Sequence, residues 1–148
     1  MKKTLIVFIT SCCLLLSACS FDSEKAKTLV RTEIETYYEN LLLENIDATM
    51  KQIDRDSEQY YSLYNELRDT FQNYNHSYKV NEISFNTITK DRISVTASIT
   101  ISGVDNNDKF ESFNTIQEFV FVTTGKDVWK IKSLETKIDF TTKNKFRN

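Results

Sequence analysis

Between Phe71 and Tyr78 the spacing of apolar residues changes from every third or fourth position to every second. Helical side chains return to one face every 3.6 residues, whereas strand side chains alternate faces, so a change of period divides a helical half from a strand half. Upstream of it, Leu29, Val30, Ile34, Tyr37, Tyr38, Leu41 and Leu42 fall on one face of a long helix predicted over residues 24–44. Asp22 or Ser23 is placed to cap its start by accepting otherwise unpaired backbone N–H groups. A short helix is predicted over 47–53, with Asp47 as cap and Ala48, Met50 and Ile53 inward. A third is predicted over 57–72, with Ser57 as cap and Tyr60, Tyr61, Tyr64, Leu67 and Phe71 as its apolar stripe. Asn73, Asn75, His76 and Ser77 then supply turn-prone side chains.

Downstream, Ile93, Val95, Ala97, Ile99 and Ile101 alternate with Ser94, Thr96, Ser98 and Thr100, which predicts a strand with one buried and one wetted face. Before it, Tyr78 and Val80, then Ile83 and Phe85, alternate with a slip near Asn81 and Glu82 that reads as a β-bulge. Thr89-Lys90-Asp91 is a hairpin-length connection, and residues 103–108 form a polar loop. A strand over 110–123 contains Phe119-Val120-Phe121-Val122, apolar on both faces and therefore central in its sheet. Thr124-Gly125-Lys126 turns the chain into a last strand over 127–140, with Trp129 and Ile131 inward and a slip before Ile138 and Phe140. The expected class is α+β: three N-terminal helices packed on a curved four-stranded antiparallel meander.

The start of the chain has a different purpose. Lys2 and Lys3 precede an apolar run over residues 5–16, broken by Thr10 and Ser11. A spanning helix needs about 20 apolar residues, so this shorter run after a basic start reads as an export signal. Leu16-Ser17-Ala18-Cys19 resembles the lipobox of bacterial lipoproteins, in which a Leu and two small residues precede a Cys that is lipidated and becomes the first mature residue. That resemblance implies a signal peptide over 1–18, a covalent diacylglycerol-type lipid on Cys19, and attachment to the cell membrane on its extracytoplasmic side. Residues 19–23 are then the lipidated Cys and a short tether, 24–140 the folded domain, and 141–148 a basic polar tail. Four tether residues reach at most about 14 Å, which keeps the domain close to the bilayer.

Charge and cysteine usage narrow the functions. All 21 acidic residues stay in the mature chain while two of the 19 basic ones leave with the signal. A mildly acidic domain lacks the basic surface that phosphate backbones require, so nucleic acid is not an expected partner. Cys12 and Cys13 leave with the signal and Cys19 carries lipid, so the core must hold the fold without a disulfide. The one histidine, His76, has no evident carboxylate partner for general-base work and reads as a solvated loop residue. A lone His with no free Cys also excludes the usual zinc arrangements. No Gly-x-Ser-x-Gly elbow is present. Asp105-Asn106-Asn107-Asp108 lacks the central Gly and acidic twelfth position of a calcium loop and reads as a polar turn. No catalytic residue, no metal site and no cofactor besides the lipid is expected.

The order of elements, with Gly125-Lys126-Asp127-Val128-Trp129-Lys130-Ile131 as a short Gly turn into an aromatic strand, resembles the nuclear-transport-factor-2-like, or cystatin-like, fold. There a curved sheet wraps a long N-terminal helix into a cone. Enzymes of that family, such as ketosteroid isomerases and scytalone dehydratases, hold an acid–base pair inside the cone, and no residue of this chain aligns with those positions. The outer sheet face often serves there for pairing, which makes a homodimer one expectation. All seven tyrosines lie between residues 37 and 78. Tyr37, Tyr61 and Tyr64, with Trp129, are candidates for lining a cavity. The leading expectation is a non-catalytic binding or assembly module that holds an envelope protein near the membrane. The alternatives are a carrier of a small apolar ligand in the cone, and an isomerase- or dehydratase-like enzyme with a buried carboxylate facing a Tyr. Lys143, Lys145 and Arg147 around Phe146 are either a solvated tail or a contact for anionic headgroups.

Overall fold

The structure is a computed structural model that describes residues 21–104 and 112–138. The lipobox residues Leu16, Ser17, Ala18 and Cys19, the turn at Asp105–Asp108 and the basic tail lie outside the described residues. Helix α1 spans Ser23–Leu42. Asp22 is its cap, with Oδ1 accepting from the Lys25 N–H at 3.0 Å. Its inner face is Ala26, Val30, Ile34, Tyr37, Tyr38 and Leu41, all buried. Leu42, expected on that face, is 52 % exposed because the helix is ending there and the chain turns away. Glu44, in the left-handed region at φ 52°, makes that reversal.

Helix α2 spans Ile46–Lys51 and is capped by Asn45, whose Oδ1 accepts from the Ala48 N–H at 3.0 Å. The expected cap, Asp47, lies instead in the first turn, where its charge suits the positive helix end. Helix α3 spans Tyr60–Asn73, starting later than the pattern predicts. Ser57 is not its cap. The buried Ser57 hydroxyl donates to the Lys132 carbonyl at 2.7 Å and accepts from the Gln59 N–H at 3.2 Å, fastening the approach to α3 onto the sheet.

Four strands follow: β1 His76–Ile88, β2 Arg92–Gly103, β3 Phe113–Gly125 and β4 Val128–Ile138. They pair antiparallel in the order β1-β2-β3-β4, so β3 is internal as its two-sided apolar run requires. The expected bulge in β1 lies between Val80 and Glu82, and a second lies between Phe85 and Thr87. The extra residue in each is an Asn. The Asn81 amide donates to Thr100 Oγ1 at 2.9 Å and the Asn86 amide to Thr96 Oγ1 at 2.8 Å, which ties each bulge to β2. In β4 the slip falls at Lys132, because Phe121 faces Ile131 while Val120 faces Ser133; this is earlier than the sequence pattern places it.

The core lies between α1 and the inner sheet face. Ile93, Val95, Ala97 and Ile99 of β2 and Phe119 and Phe121 of β3 have no exposed surface. The Tyr37 and Tyr38 rings meet Phe119 edge-on at 6.0 and 6.4 Å, a favoured geometry for aromatic pairs. The segment after α2 joins the sheet directly. The Ile131 N–H donates to the Gln52 carbonyl at 2.9 Å and the Asp54 N–H to the Ile131 carbonyl at 2.8 Å, forming a parallel bridge between Ile53 and Ile131. Among the described residues no helix is long and apolar enough to cross a membrane.

Candidate functional site

The space between α1 and the inner sheet face is filled by packed side chains. Tyr37 is 2 % exposed. The Tyr38 hydroxyl donates to Gln117 Oε1. Burial, with the neighbouring Tyr78 and Glu66 adding to it, holds the Tyr37 phenol well above its ordinary pKa. Burial and the facing Tyr37 do the same to Tyr38. Both therefore remain neutral hydroxyls. Among the described residues the buried polar side chains are Thr49, Gln52, Ser57 and Thr115, with no carboxylate and no histidine. The polar centre of the helical layer is Gln52. Its Nε2 donates to the Glu33 carbonyl at 2.8 Å and to Glu33 Oε2 at 2.9 Å, and its Oε1 accepts from Asn40 at 3.1 Å. These bonds satisfy an amide that burial would otherwise penalise, a structural duty.

The four cavity candidates are not brought together. Tyr37 is in the core and Trp129, 4 % exposed, closes the core near the β3–β4 turn. Tyr61 is 80 % exposed, and Tyr64 stands on the wall of a surface groove. Their helical spacing is real, but a tyrosine stripe does not say which of its members the neighbouring element covers. His76 is also placed differently from its expected loop. It begins β1, half-buried, stacked on Tyr74 at 5.5 Å and edge-on to Tyr78 at 6.2 Å. Burial holds its imidazole below the ordinary pKa.

Described residues border two grooves on the surface. The first, about 540 Å³, has Met50 and Ile53 as its floor, Tyr60 and Tyr64 as walls, and Asp47, Lys51, Asp54, Arg55, Thr124 and Lys130 around it. Lys130 Nζ donates to the Lys51 carbonyl at 2.7 Å, which fixes one side. Partial burial pushes the Asp54 carboxyl up, but hydrogen bonds from Lys132 Nζ and the Asp56 N–H, with the lysine charge, outweigh it and hold the pKa below the ordinary value. Those bonds are 3.0 and 3.1 Å. The second groove, about 410 Å³, lies at the start of α1 beside the β3–β4 turn, bordered by Phe21, Lys25, Ala26, Lys90, Lys126 and Trp129 with Asp22, Thr123, Gly125 and Asp127. Sequence reading missed both grooves. Each collects residues from segments far apart in the chain, and no local spacing announces that. Among the described residues no group of His, Cys, Asp or Glu side chains is arranged to hold a metal ion.

Comparison with known proteins agrees with this architecture. No curated protein matches the chain in sequence. A nuclear transport factor 2 (NTF2-like) superfamily protein from Salmonella enterica serovar Typhimurium superimposes with a TM-score of 0.69 at 10 % identity, covering 86 % of this chain and 100 % of that one. A protein of unknown function with a cystatin-like fold from Nostoc punctiforme gives 0.63 at 7 % identity, covering 78 % and 92 %. A protein provisionally named a scytalone dehydratase from Novosphingobium aromaticivorans gives 0.67 at 9 % identity, covering 77 % and 84 %. At such identities these neighbours establish a shared fold, the nuclear-transport-factor-2-like α+β cone, and no shared activity. At the level of sequence families, the C-terminal domain of the anti-sigma-I factor RsgI9 matches residues 32–141, from within α1 to beyond β4, and the chain belongs to that family.

Proposed function

We propose that this chain is a non-catalytic binding module, held on the extracytoplasmic side of the cell membrane by a lipid on Cys19, that presents its cone-shaped domain to an envelope protein. The observation that carries this reading is the filled interior. Where an acid–base pair or a ligand would sit in a working cone, this chain packs Tyr37, Tyr38, Phe119 and Phe121, with no buried carboxylate among the described residues. The family lends support, since the protein it is named for bears the name of a regulator rather than of a reaction. With the interior closed, recognition falls to the outside. The outer positions of β3 include Ile116, Val120 and Val122, which alternate with its buried residues. With Glu118, paired to Lys137 between Ile116 and Val120, they give the sheet a mixed apolar and charged outer row beside the hydroxyl row of β2, suited to a protein partner or a second copy of the chain.

The test is crosslinking in intact cells with a photoreactive residue at Val120. A discrete protein adduct, lost when the neighbouring outer residue Val122 is replaced by Lys, is the expected result. A chain that forms no adduct, and that leaves its membrane carrying a small apolar molecule in native mass spectrometry, would move the assignment to the ligand carrier. The anchor is tested separately. Cys19→Ala is expected to transfer the protein from the membrane fraction to the soluble one, and unchanged fractionation would remove the lipid from the proposal.

A further inference from the structure

The groove at the start of α1 has no role in the reading above, yet it lies at the one place where the chain leaves the domain toward Cys19. We propose that this end of the domain is a headgroup-binding surface, which seats an anionic phospholipid of the membrane that holds the lipid anchor. The inference rests on the Cys19 anchor proposed above.

Position comes first. Phe21, two residues after Cys19, borders the groove and is 40 % exposed. Two residues extend at most about 7 Å. A lipid on Cys19 therefore brings this groove to the bilayer surface whatever path the intervening backbone takes. Two hairpin ends lie beside it, one at Lys90 between β1 and β2, the other at Lys126 between β3 and β4. β4 then carries the chain away from this end.

Chemistry follows position. Lys25, Lys90 and Lys126 border a groove whose apolar surface comes from Phe21, Ala26 and Trp129. Of its two carboxylates, Asp22 caps the helix and Asp127 is paired with a lysine. Asp22 accepts from the Lys25 backbone N–H at 3.0 Å, and Asp127 holds Lys25 Nζ at 2.5 Å. Asp91 stands 3.9 Å from Lys90, with both side chains at least 70 % exposed, an interaction that water and salt screen. The Lys126 ammonium and the weakly paired Lys90 are left to meet an outside anion. An exposed Phe beside long lysine stems is suited to the headgroup layer, where apolar surface and cationic tips are stabilised together.

Trp129 makes the test direct, because it is the only tryptophan in the chain. The full chain, processed and lipidated by its host, is reconstituted into vesicles of phosphatidylcholine with and without phosphatidylglycerol, each with a trace of headgroup-spin-labelled lipid. Trp129 emission is expected to be quenched more strongly in the anionic vesicles than in pure phosphatidylcholine, where the anchor alone holds the groove near the surface. In the triple variant Lys25→Gln/Lys90→Gln/Lys126→Gln, whose altered side chains are all on the surface, quenching is expected to fall to the level seen in pure phosphatidylcholine while the protein still floats with the vesicles. A wild-type chain that floats but is quenched no more in anionic than in pure phosphatidylcholine vesicles, or a triple variant quenched as strongly as wild type, overturns the headgroup surface and leaves the anchor intact. A chain that does not float overturns the anchor instead.

Discussion

Gln52 joins three parts of the fold through one side chain and one carbonyl. The side chain binds Glu33 and Asn40 of α1, and the carbonyl receives the Ile131 N–H of β4. Gln52→Leu keeps most of the volume and the backbone bond but leaves the half-buried Glu33 and Asn40 of α1 without their mate. A buried polar group left unpaired costs about 1–3 kcal/mol, so the urea midpoint is expected to fall accordingly with an unchanged slope. Asp54, two residues on, gives a pH signature. Its carboxyl is held below the ordinary 3.8 in the fold, so the stability it contributes is fully present above that value and is lost as pH falls through the lower folded value. Asp54→Asn is therefore expected to lower stability at neutral pH and to flatten the acid limb of the stability–pH curve. The effect is modest, because Lys132 is 35 % exposed and water screens the pair. Neither residue was legible as structural in the sequence. A Gln at a helix end and an Asp in a connection look solvated until the strand they face is known.

Among the elements, α1 and α3 share a helical period and differ in how they are held. Six residues of α1 are buried, against Leu67 alone in α3. Tyr60, Leu63 and Phe71 of α3 are only half-covered. Local opening is easiest where few apolar groups are buried. Amide exchange is therefore expected to be faster through residues 60–73 than through the middle of α1, and Leu67→Ala is expected to raise exchange in α3 while leaving β2 and β3 protected. Equal protection of the two helices would contradict this. The helices themselves were readable from spacing, and the correct cap of α1 was one of the two proposed. The caps of α2 and α3 were not, for reasons the structure supplies. Asn45 precedes Asp47 in a chain already reversing at Glu44, and the Ser57 hydroxyl is drawn to the Lys132 carbonyl rather than to a helix end. The strands were more legible, since the faultless alternation of β2 leaves one register in which Ile93 to Ile99 are all covered.

For the molecule as a whole, a single change of period foretold the layer of helices, the layer of strands and their order, because each layer has one apolar face to cover and the two faces must cover each other. What spacing did not foretell is whether the cone closes on itself. That depends on the size of Tyr37, Tyr38 and Phe119 at positions opposed across the interior, a distance no one-dimensional pattern contains. The grooves were hidden for the same reason. One last feature bears on how such molecules share a surface. A sheet has two outer edges, and an open edge is a template on which another chain can polymerise. The β4 edge is occupied at Ile131 by the bridge to Ile53, and the β1 edge is broken by two bulges at Asn81 and Asn86. The lipid anchor proposed on Cys19 would confine copies to a plane, where edge-to-edge encounters are far more frequent than in solution. A domain interrupted by a bridge on one edge and by two bulges on the other can be crowded without its copies zipping into fibrils.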